Sequence, residues 1–235
     1  MNKTKLATLI RWLVVIATPF LLTTLMVRVL IAWQSPSYPA WEYERIPPDR
    51  YGFSPAERLE LAEATLDYLQ RDQPAADVIY LLEDLRLPGT DAPVYNPAEI
   101  GHMLDVKIVA DAFKTAMWVL LVMVVGGLTF LFAQSEIRLQ GAKALWQGGV
   151  LTVTAVILVI VFMLIGWGLF FTLFHNLFFD PGTWTFAYSD SLIRLFPEQF
   201  WFDFALIWTG SILALGAIGG AIGWVLSKKM AHAHS

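Results

Sequence analysis

The chain has 235 residues, of which 57% are hydrophobic and 15% are charged, and its formal net charge at pH 7 is −4. A soluble domain carries about a quarter charged residues, so this composition indicates an integral membrane protein. The chain has no cysteine, which excludes disulfides, thiolate nucleophiles, cysteine-ligated zinc and iron–sulfur clusters.

Four apolar stretches are long enough to cross a bilayer. The first runs from Trp12 to Trp33, and its 22 residues form about 33 Å of helix against a hydrocarbon core of about 30 Å. Its length, and the Trp, Gln, Ser and Pro at its end, favour an uncleaved anchor over a cleaved signal peptide. The later spans are predicted at Thr115–Ala133, Gly148–Phe174 and Phe204–Leu226.

The fourth span contains glycines at the spacing that lets membrane helices approach closely. Gly216 and Gly220 form one GxxxG pair, and Gly219 and Gly223 form a second. Such pairs serve either packing within one chain or a contact between two copies. We expect close helix packing through Gly216 and Gly220, favour packing within the chain, and leave the oligomeric state open.

Basic residues in short flanking segments predict the orientation. They are Lys3, Lys5, Arg11, Arg138, Lys143, Lys228 and Lys229. All of them lie on one side of a four-span arrangement, which places both termini in the cytoplasm. Segments 34–106 and 175–203 are then extracytoplasmic, and the first of these carries fourteen acidic and five basic residues.

The predicted fold is therefore an all-α integral membrane protein with four transmembrane helices, both termini inside, and a mostly helical extracytoplasmic domain in the first outer loop. The predicted segments are the N-terminal tail and first span (1–33), the outer loop domain (34–106), the second span (107–134), a cytoplasmic loop (135–147), the third span (148–174), a second outer segment (175–203), the fourth span (204–227) and a cytoplasmic tail (228–235).

Within the outer loop, residues 34–50 are rich in proline and aromatics and predict an extended chain. Ser54, Pro55 and Glu57 have the pattern of a capping box that begins a helix ending near Arg71. Its apolar positions predict one buried face: Leu59, Ala62, Leu66 and Leu69. Residues 75–85 do not decide between a short helix and a strand. Asn96 and Pro97 begin a helix that we expect to continue into the second span.

Two histidines are predicted to share the outer side of the membrane. His102 precedes the second span, and Asp105 lies one turn later on the same helix face, where a carboxylate can orient an imidazole. His175 ends the predicted third span among phenylalanines, and ionisable residues at membrane depth are costly and usually functional. The alternative is that these are ordinary interfacial residues. The tail residues His232 and His234 are expected on the opposite side.

The polar residues between His102 and the second span have a structural alternative of their own. Lys107, Asp111 and Lys114 are spaced to form a charge-paired collar at the membrane surface. No zinc-protease HExxH, G-x-S-x-G, P-loop or GxGxxG motif is present, and no group of residues has metal-ligand spacing. The residues themselves thus favour chemistry or binding at the outer lipid interface.

Two short motifs carry a family resemblance. His102 to Lys107 reads HMLDVK, and Phe174 to Phe179 reads FHNLFF; Trp184, Phe186 and the run LFPEQF at 195–200 follow in order. The chain resembles the lipoprotein intramolecular transacylase (Lit) family of bacterial membrane proteins over nearly its whole length. It departs from the family's W-x-F-D-P stretch, because Ala187 and Tyr188 stand in the last two positions. We therefore expect a diverged member.

The resemblance implies an acyl transfer in the bacterial cytoplasmic membrane, at its extracytoplasmic face. The family moves an acyl chain from the glyceryl ester of a lipoprotein's N-terminal cysteine to the α-amine of that cysteine. A histidine can deprotonate the amine and then protonate the departing alkoxide. His102 and His175 become the expected catalytic pair, with neither assigned as the base, and the supporting candidates are Asp105, Lys107, Trp184, Tyr188 and Arg194.

The expected partners are membrane lipid and a lipoprotein substrate, and we expect no nucleic acid, cofactor or metal. A second hypothesis of a different class is a non-catalytic membrane scaffold or assembly factor that binds a partner through its acidic outer loop. The separation of the two imidazoles distinguishes these hypotheses, because cooperation in catalysis needs them within about 10 Å of each other.

Overall fold

Helices account for nearly all regular structure in the computed structural model, which describes residues 2–33 and 37–232 and, for His232, the backbone alone. The described residues form no named strand, and the predicted all-α class is confirmed. The helices are α1 (Lys3–Ile31), α2 (Tyr38–Tyr43), α3 (Pro55–Gln70), α4 (Ala75–Val78), α5 (Tyr80–Glu83), α6 (Pro97–Phe132), α7 (Arg138–Ile165), α8 (Trp167–Phe178), α9 (Ser191–Leu195) and α10 (Glu198–His232).

Four of these helices are long and apolar enough to cross a membrane: α1, α6, α7 and α10. Their number agrees with the four spans predicted from the sequence. Helix α6 is continuous from Pro97 to Phe132, so the helix that begins before His102 does run into the second apolar stretch as predicted.

The apolar run from Gly148 to Phe174 was predicted as one span, but it is divided between two helices. Helix α7 ends at Ile165, and Gly166 has a non-helical backbone (φ −149°, ψ 61°) before α8 begins at Trp167. Glycine is a poor helix former, with a cost of about 1 kcal/mol relative to alanine, so a break at this position costs little. His175 therefore lies on a separate helix of twelve residues.

Residues 34–50 are not extended throughout, as their proline content had predicted. Tyr38–Tyr43 form helix α2, capped by Ser37, whose hydroxyl accepts a hydrogen bond from the amide of Ala40. Pro39 lies in the first turn, where the missing N–H of proline costs no hydrogen bond. Residues 34–36 of that prediction, and tail residues 233–235 with His234, lie outside the described residues.

Helix α3 begins with the predicted capping box. Ser54 Oγ accepts from the Glu57 amide, and the Glu57 carboxylate accepts from the Ser54 amide. The buried face is rotated from the one predicted, because it includes polar side chains that hydrophobic periodicity does not select. Its members are Arg58, Leu61, Ala62, Thr65, Tyr68 and Leu69. Residues 75–85, left undecided by the sequence, form the short helices α4 and α5.

The chain divides into two compact units. One contains the residues up to Arg28, Phe113–Ile165 and the residues from Leu206 onward; the other contains Val29–Ala112 and Gly166–Ala205. We call the second one the histidine unit, because His102 and His175 both belong to it. Its most deeply buried large hydrophobic and aromatic side chains are Tyr38, Tyr68, Leu82, Leu195 and Phe200.

In the first unit, α7 and α10 approach each other through glycine. A Cβ atom placed on Gly149 would lie 2.5 Å from the carbonyl oxygen of Gly216 and 2.5 Å from Cα of Gly220. The glycine pair predicted to allow close approach therefore contacts a glycine of another helix in the same chain.

We predict that Gly149→Ala destabilises the protein. The new methyl group would meet backbone atoms that cannot rotate away, and overpacking of this kind costs about 1–3 kcal/mol, which exceeds the gain of about 1 kcal/mol in helix propensity. Thermal unfolding of the purified protein in detergent measures the effect. Gly219→Ala is the matched control, because no neighbouring atom lies within 4 Å of its added Cβ. Equal midpoints for the two variants would contradict the prediction.

Candidate active site

His102 lies in the second turn of α6 and is 7% exposed. Its ring packs edge-on against Phe179, with centroids 4.9 Å apart, and at a tilt against Phe186, at 5.4 Å. Both phenylalanines come from the predicted second outer segment. Two aromatic side chains of that segment therefore enclose this imidazole.

His175 lies in the second half of α8 and is surrounded by rings from its own helix and from the loop that follows. The ring centroids of Phe171 and Trp184 lie 4.0 and 4.8 Å from that of the imidazole, and Phe179 lies at 5.7 Å. Trp184 belongs to residues 183–188, which form no regular helix or strand in the structure. Phe179 contacts both histidines and forms a shared wall.

The two imidazoles lie beside each other. Their ring centroids are 6.4 Å apart and their planes differ by 26°. The structure therefore brings together two residues that are separated in sequence by the rest of α6, the whole of α7 and the first part of α8. This separation meets the distance condition for cooperation in catalysis.

Hydrogen bonding defines the tautomer of His175. Its Nδ1 lies 2.8 Å from the carbonyl oxygen of Phe171, one turn earlier in α8. A carbonyl oxygen can only accept, so Nδ1 carries the proton in the neutral ring and Nε2 presents a lone pair. Burial lowers the pKa of His175, and the bond to the Phe171 carbonyl offsets this only in part. The ring is thus held neutral, with one nitrogen ready to accept a proton.

Two other nitrogen atoms at the site are buried without a hydrogen-bond partner among the described residues. They are Nδ1 of His102 and Nε1 of Trp184. An indole N–H can only donate, and a buried donor that stays unpaired costs about 1–3 kcal/mol. Both atoms therefore have unused hydrogen-bonding capacity for a group that enters the site.

Within the described residues, no hydrogen bond or ion pair joins the supporting residues predicted on α6 to the histidine pair. Asp105 is half-buried and makes no hydrogen bond or ion pair with His102 within the described ranges. Lys107 is fully buried; its ammonium donates to the carbonyl of Arg71 at 2.7 Å and pairs with Asp111 at 3.2 Å. The predicted pairing of Lys107 with Asp111 is confirmed, and these contacts favour a structural role for Lys107.

No hydrogen bond, ion pair or ring contact joins Arg194 or Tyr188 to the imidazoles among the described residues. The guanidinium of Arg194 pairs with Asp49 at 2.9 Å and stacks 3.6 Å from the ring centroid of Phe53. Burial raises the pKa of the Asp49 carboxyl, but hydrogen bonds from Arg194 and from the amides of Phe53 and Tyr51 hold it below its ordinary value. Tyr188 is 73% exposed. Arg194 and Tyr188 line a separate cavity of about 850 Å³, whose lining includes neither histidine.

Residues 12–201 match the family described as lipoprotein intramolecular transacylase Lit. The chain belongs to the Lit family. The predicted family is confirmed, and membership in it supports the prediction of a membrane acyltransferase. Among the described residues, no three His, Asp or Glu side chains are grouped so that they could hold a metal ion.

Individual relatives agree with this assignment. A protein of Aquifex aeolicus (strain VF5), described as uncharacterised, is 30% identical over 207 residues, which covers 83% of this chain and 84% of that protein. The in meso structure of the membrane integral lipoprotein intramolecular transacylase Lit from Bacillus cereus superposes with a TM-score of 0.66 at 19% identity, over 99% of both chains. A histidine-to-arginine variant of that protein gives 0.63 at 18% identity, over 99% of this chain and 95% of that one. These two structures establish the fold.

Glu99 was not selected from the sequence as a site residue. Its side chain joins the start of α6, which carries His102, to the start of α9. Its side chain is 1% exposed. One carboxylate oxygen accepts from the amide of Asn96 and the other from the amide of Leu192, each at 2.7 Å. The first bond completes the cap of α6, one turn before His102, and the second holds the start of α9. Only the first could have been read from the sequence, as the acidic residue of a capping box.

We predict that Glu99→Gln lowers both stability and the activity of the site. A glutamine side chain has one acceptor oxygen, so one of the two buried amides loses its partner, at a cost of about 1–3 kcal/mol. Thermal unfolding measures the loss. The matched control is Glu57→Gln, because Glu57 makes the equivalent capping bond to Ser54 at 2.7 Å at an exposed position. If both variants unfolded at the wild-type temperature, Glu99 would not connect the two segments energetically.

Proposed function

We propose that this protein transfers an acyl chain within a lipoprotein, from the glyceryl ester of the N-terminal cysteine to the α-amine of the same residue. The observation that carries the proposal is the pair of imidazoles, 6.4 Å apart and enclosed by aromatic rings, in a chain of the Lit family. The reaction needs one proton acceptor and donor beside an ester, and it needs no nucleophile from the protein.

The proposal includes an orientation in the bacterial cytoplasmic membrane. The basic residues near the chain termini and between the second and third spans support a cytoplasmic location for both termini. Segments 34–106 and 175–203 are then extracytoplasmic, and with them the histidine pair. Lipid-modified cysteines lie at a membrane surface, so an outer site with aromatic walls matches the location of the proposed substrate.

His175 is the general base in this scheme. The lone pair on Nε2 accepts a proton from the α-amine as the amine nitrogen attacks the ester carbonyl. The resulting imidazolium gives that proton to the alkoxide that leaves when the ester C–O bond breaks. The products are an amide at the cysteine nitrogen and a free glyceryl hydroxyl, so atoms and protons balance without a cofactor.

The oxyanion of the tetrahedral intermediate is assigned to the unused donors of the site. Trp184 Nε1–H is a donor without a partner beside His175, and Nδ1 of His102 can donate when it carries the proton. Donors aimed at a developing charge in a dry site are among the largest contributions to catalysis. Because amine and ester belong to one molecule, holding them close supplies much of the remaining acceleration.

We predict that His175→Ala and His102→Ala each strongly reduce the rate of conversion. Loss of a general base reduces the rate by about 10²–10⁴-fold. The measurement is mass spectrometry of a diacylglyceryl lipoprotein co-expressed with each variant, in a host that lacks any related activity, to detect movement of the acyl chain to the amine. His234→Ala, in the tail, serves as the control that retains conversion. If both outer variants still gave full conversion while the folded protein was present, the scaffold hypothesis would be favoured instead.

The lowered pKa of His175 predicts the pH dependence. A histidine whose pKa is depressed in the folded protein is neutral, and active as a base, above its ordinary value of about 6.5. The ring becomes protonated, and can no longer act as a base, only when the pH falls below 6.5 and through the lower pKa that His175 has in the folded protein. The turnover number at saturating substrate should therefore show an acid limb below about pH 6.5. An identical limb in the residual activity of His175→Ala would assign the titration to the substrate amine.

A further inference from the structure

The histidine unit contains a cavity that the proposed reaction does not use. Its volume is about 850 Å³, within the range of about 300–1,000 Å³ that is typical of ligand sites. Its lining combines arginines with aromatic and hydrogen-bonding side chains: Arg50, Arg58, Trp167, Glu198, Gln199 and Phe202. Trp167 also contacts Phe171, which stacks on His175, so one aromatic side chain separates the cavity from the histidine pair.

Arg58 supplies a buried positive charge to this cavity. Arg58 is 4% exposed, its guanidinium donates to the carbonyls of Arg194 and Pro47 at 3.0 and 3.1 Å, and it lies 4.1 Å from the ring centroid of Tyr43. Within the described part of the chain, no acidic side chain forms an ion pair with it. A buried cation without an anionic partner is costly, and a guanidinium has five N–H donors. The arrangement therefore favours an anion that enters from outside the chain.

Arg50 supplies a second, exposed positive charge at the same cavity. No ion pair involves it in residues 2–33 or 37–232. The third arginine of the lining, Arg194, is already neutralised by Asp49. Two cations without an acidic partner among the described residues thus line the cavity, together with one carboxylate, Glu198, that forms no ion pair there.

The apolar wall of the cavity comes from residues at the ends of membrane helices. Trp167 begins α8, two residues after the end of α7, and Phe202 is the fifth residue of α10. Their rings meet edge to face with centroids 5.1 Å apart, and Nε1 of Trp167 is buried without a hydrogen-bond partner. Aromatic side chains at the ends of spans mark the level of lipid head groups.

We propose that this cavity binds the head group of an anionic glycerophospholipid. The phosphate lies against Arg50 and Arg58, because guanidinium groups form strong paired hydrogen bonds with phosphate oxygens. The glycerol backbone and the start of the acyl chains lie against Trp167 and Phe202. Glu198 and Gln199 accept hydrogen bonds from hydroxyl groups, which favours phosphatidylglycerol. The site is independent of the proposed transacylation and does not require it.

Equilibrium binding of radiolabelled lipid to the delipidated full-length protein in detergent micelles tests the proposal. Phosphatidylglycerol should bind at one saturable site, more tightly than phosphatidylcholine with the same acyl chains. Arg50→Glu should weaken binding by roughly tenfold or more, since it removes a charge-assisted contact and adds repulsion. Arg86→Glu is the matched control, an exposed arginine of the same outer segment that does not line the cavity.

Trp167→Phe provides a second test that leaves the lining charges intact, because it removes only the N–H of the indole and part of its ring. Its affinity for phosphatidylglycerol should fall, because the glycerol backbone and the start of the acyl chains lose contact area, and its affinity for phosphatidylcholine should fall by a similar factor, because that part is common to the two lipids. Equal affinities for the two lipids, or equal losses in Arg50→Glu and Arg86→Glu, would overturn the proposal. Displacement of the lipid by inorganic phosphate or glycerol 3-phosphate at comparable concentration would also overturn it, since the ligand would then be a free anion.

Discussion

The arrangement of the histidine unit depends on one buried carboxylate. Glu99 accepts hydrogen bonds from the start of α6 and from the start of α9, and it is almost fully shielded from water. A carboxylate in such a place is stable only while its oxygens are paired, so it holds the two segments in one register. His102 lies one turn beyond this connection. The aromatic residues that enclose His102 belong to the chain between α8 and α9, and their positions are therefore tied to the same point.

Much of the fold could be predicted because apolar length and local capping chemistry are properties of short stretches. The four spans, the capping box at Ser54 and the continuous α6 all follow from residues that are neighbours in sequence. The break at Gly166 was missed because glycine is common in membrane helices, and the turn of α2 was missed because proline-rich sequence also suits extended chain. In each case the local signal was ambiguous, and contacts across the unit select one conformation.

The candidate site, like the fold, could be predicted only in part from the sequence. His102 and His175 could be chosen as a pair because topology predicted a common side of the membrane. Their wider surroundings could not, since the partners of Asp49, Glu99 and Arg194 lie far away in sequence. Arg194 illustrates the difficulty. A lone arginine near a predicted site suggests a charge stabiliser, whereas its ion pair with Asp49 neutralises it and connects segments 34–106 and 175–203. Arg50 and Arg58 form no ion pair within the described residues, and the sequence did not distinguish them from the other charged residues of segment 34–106.

The hydrogen bond between His175 and the carbonyl of Phe171 has a further consequence. In many histidine sites a carboxylate fixes the ring, and its negative charge must be kept solvated or neutralised. Here the helix that carries the histidine fixes the ring with its own backbone, and no carboxylate is bonded to either imidazole within the described residues. The described groups in contact with the two rings are therefore aromatic side chains and a backbone carbonyl, with no bonded ion. An uncharged ester with long acyl chains can approach the two rings without removing water from a bonded ion. The desolvation cost of binding therefore falls on the substrate amine.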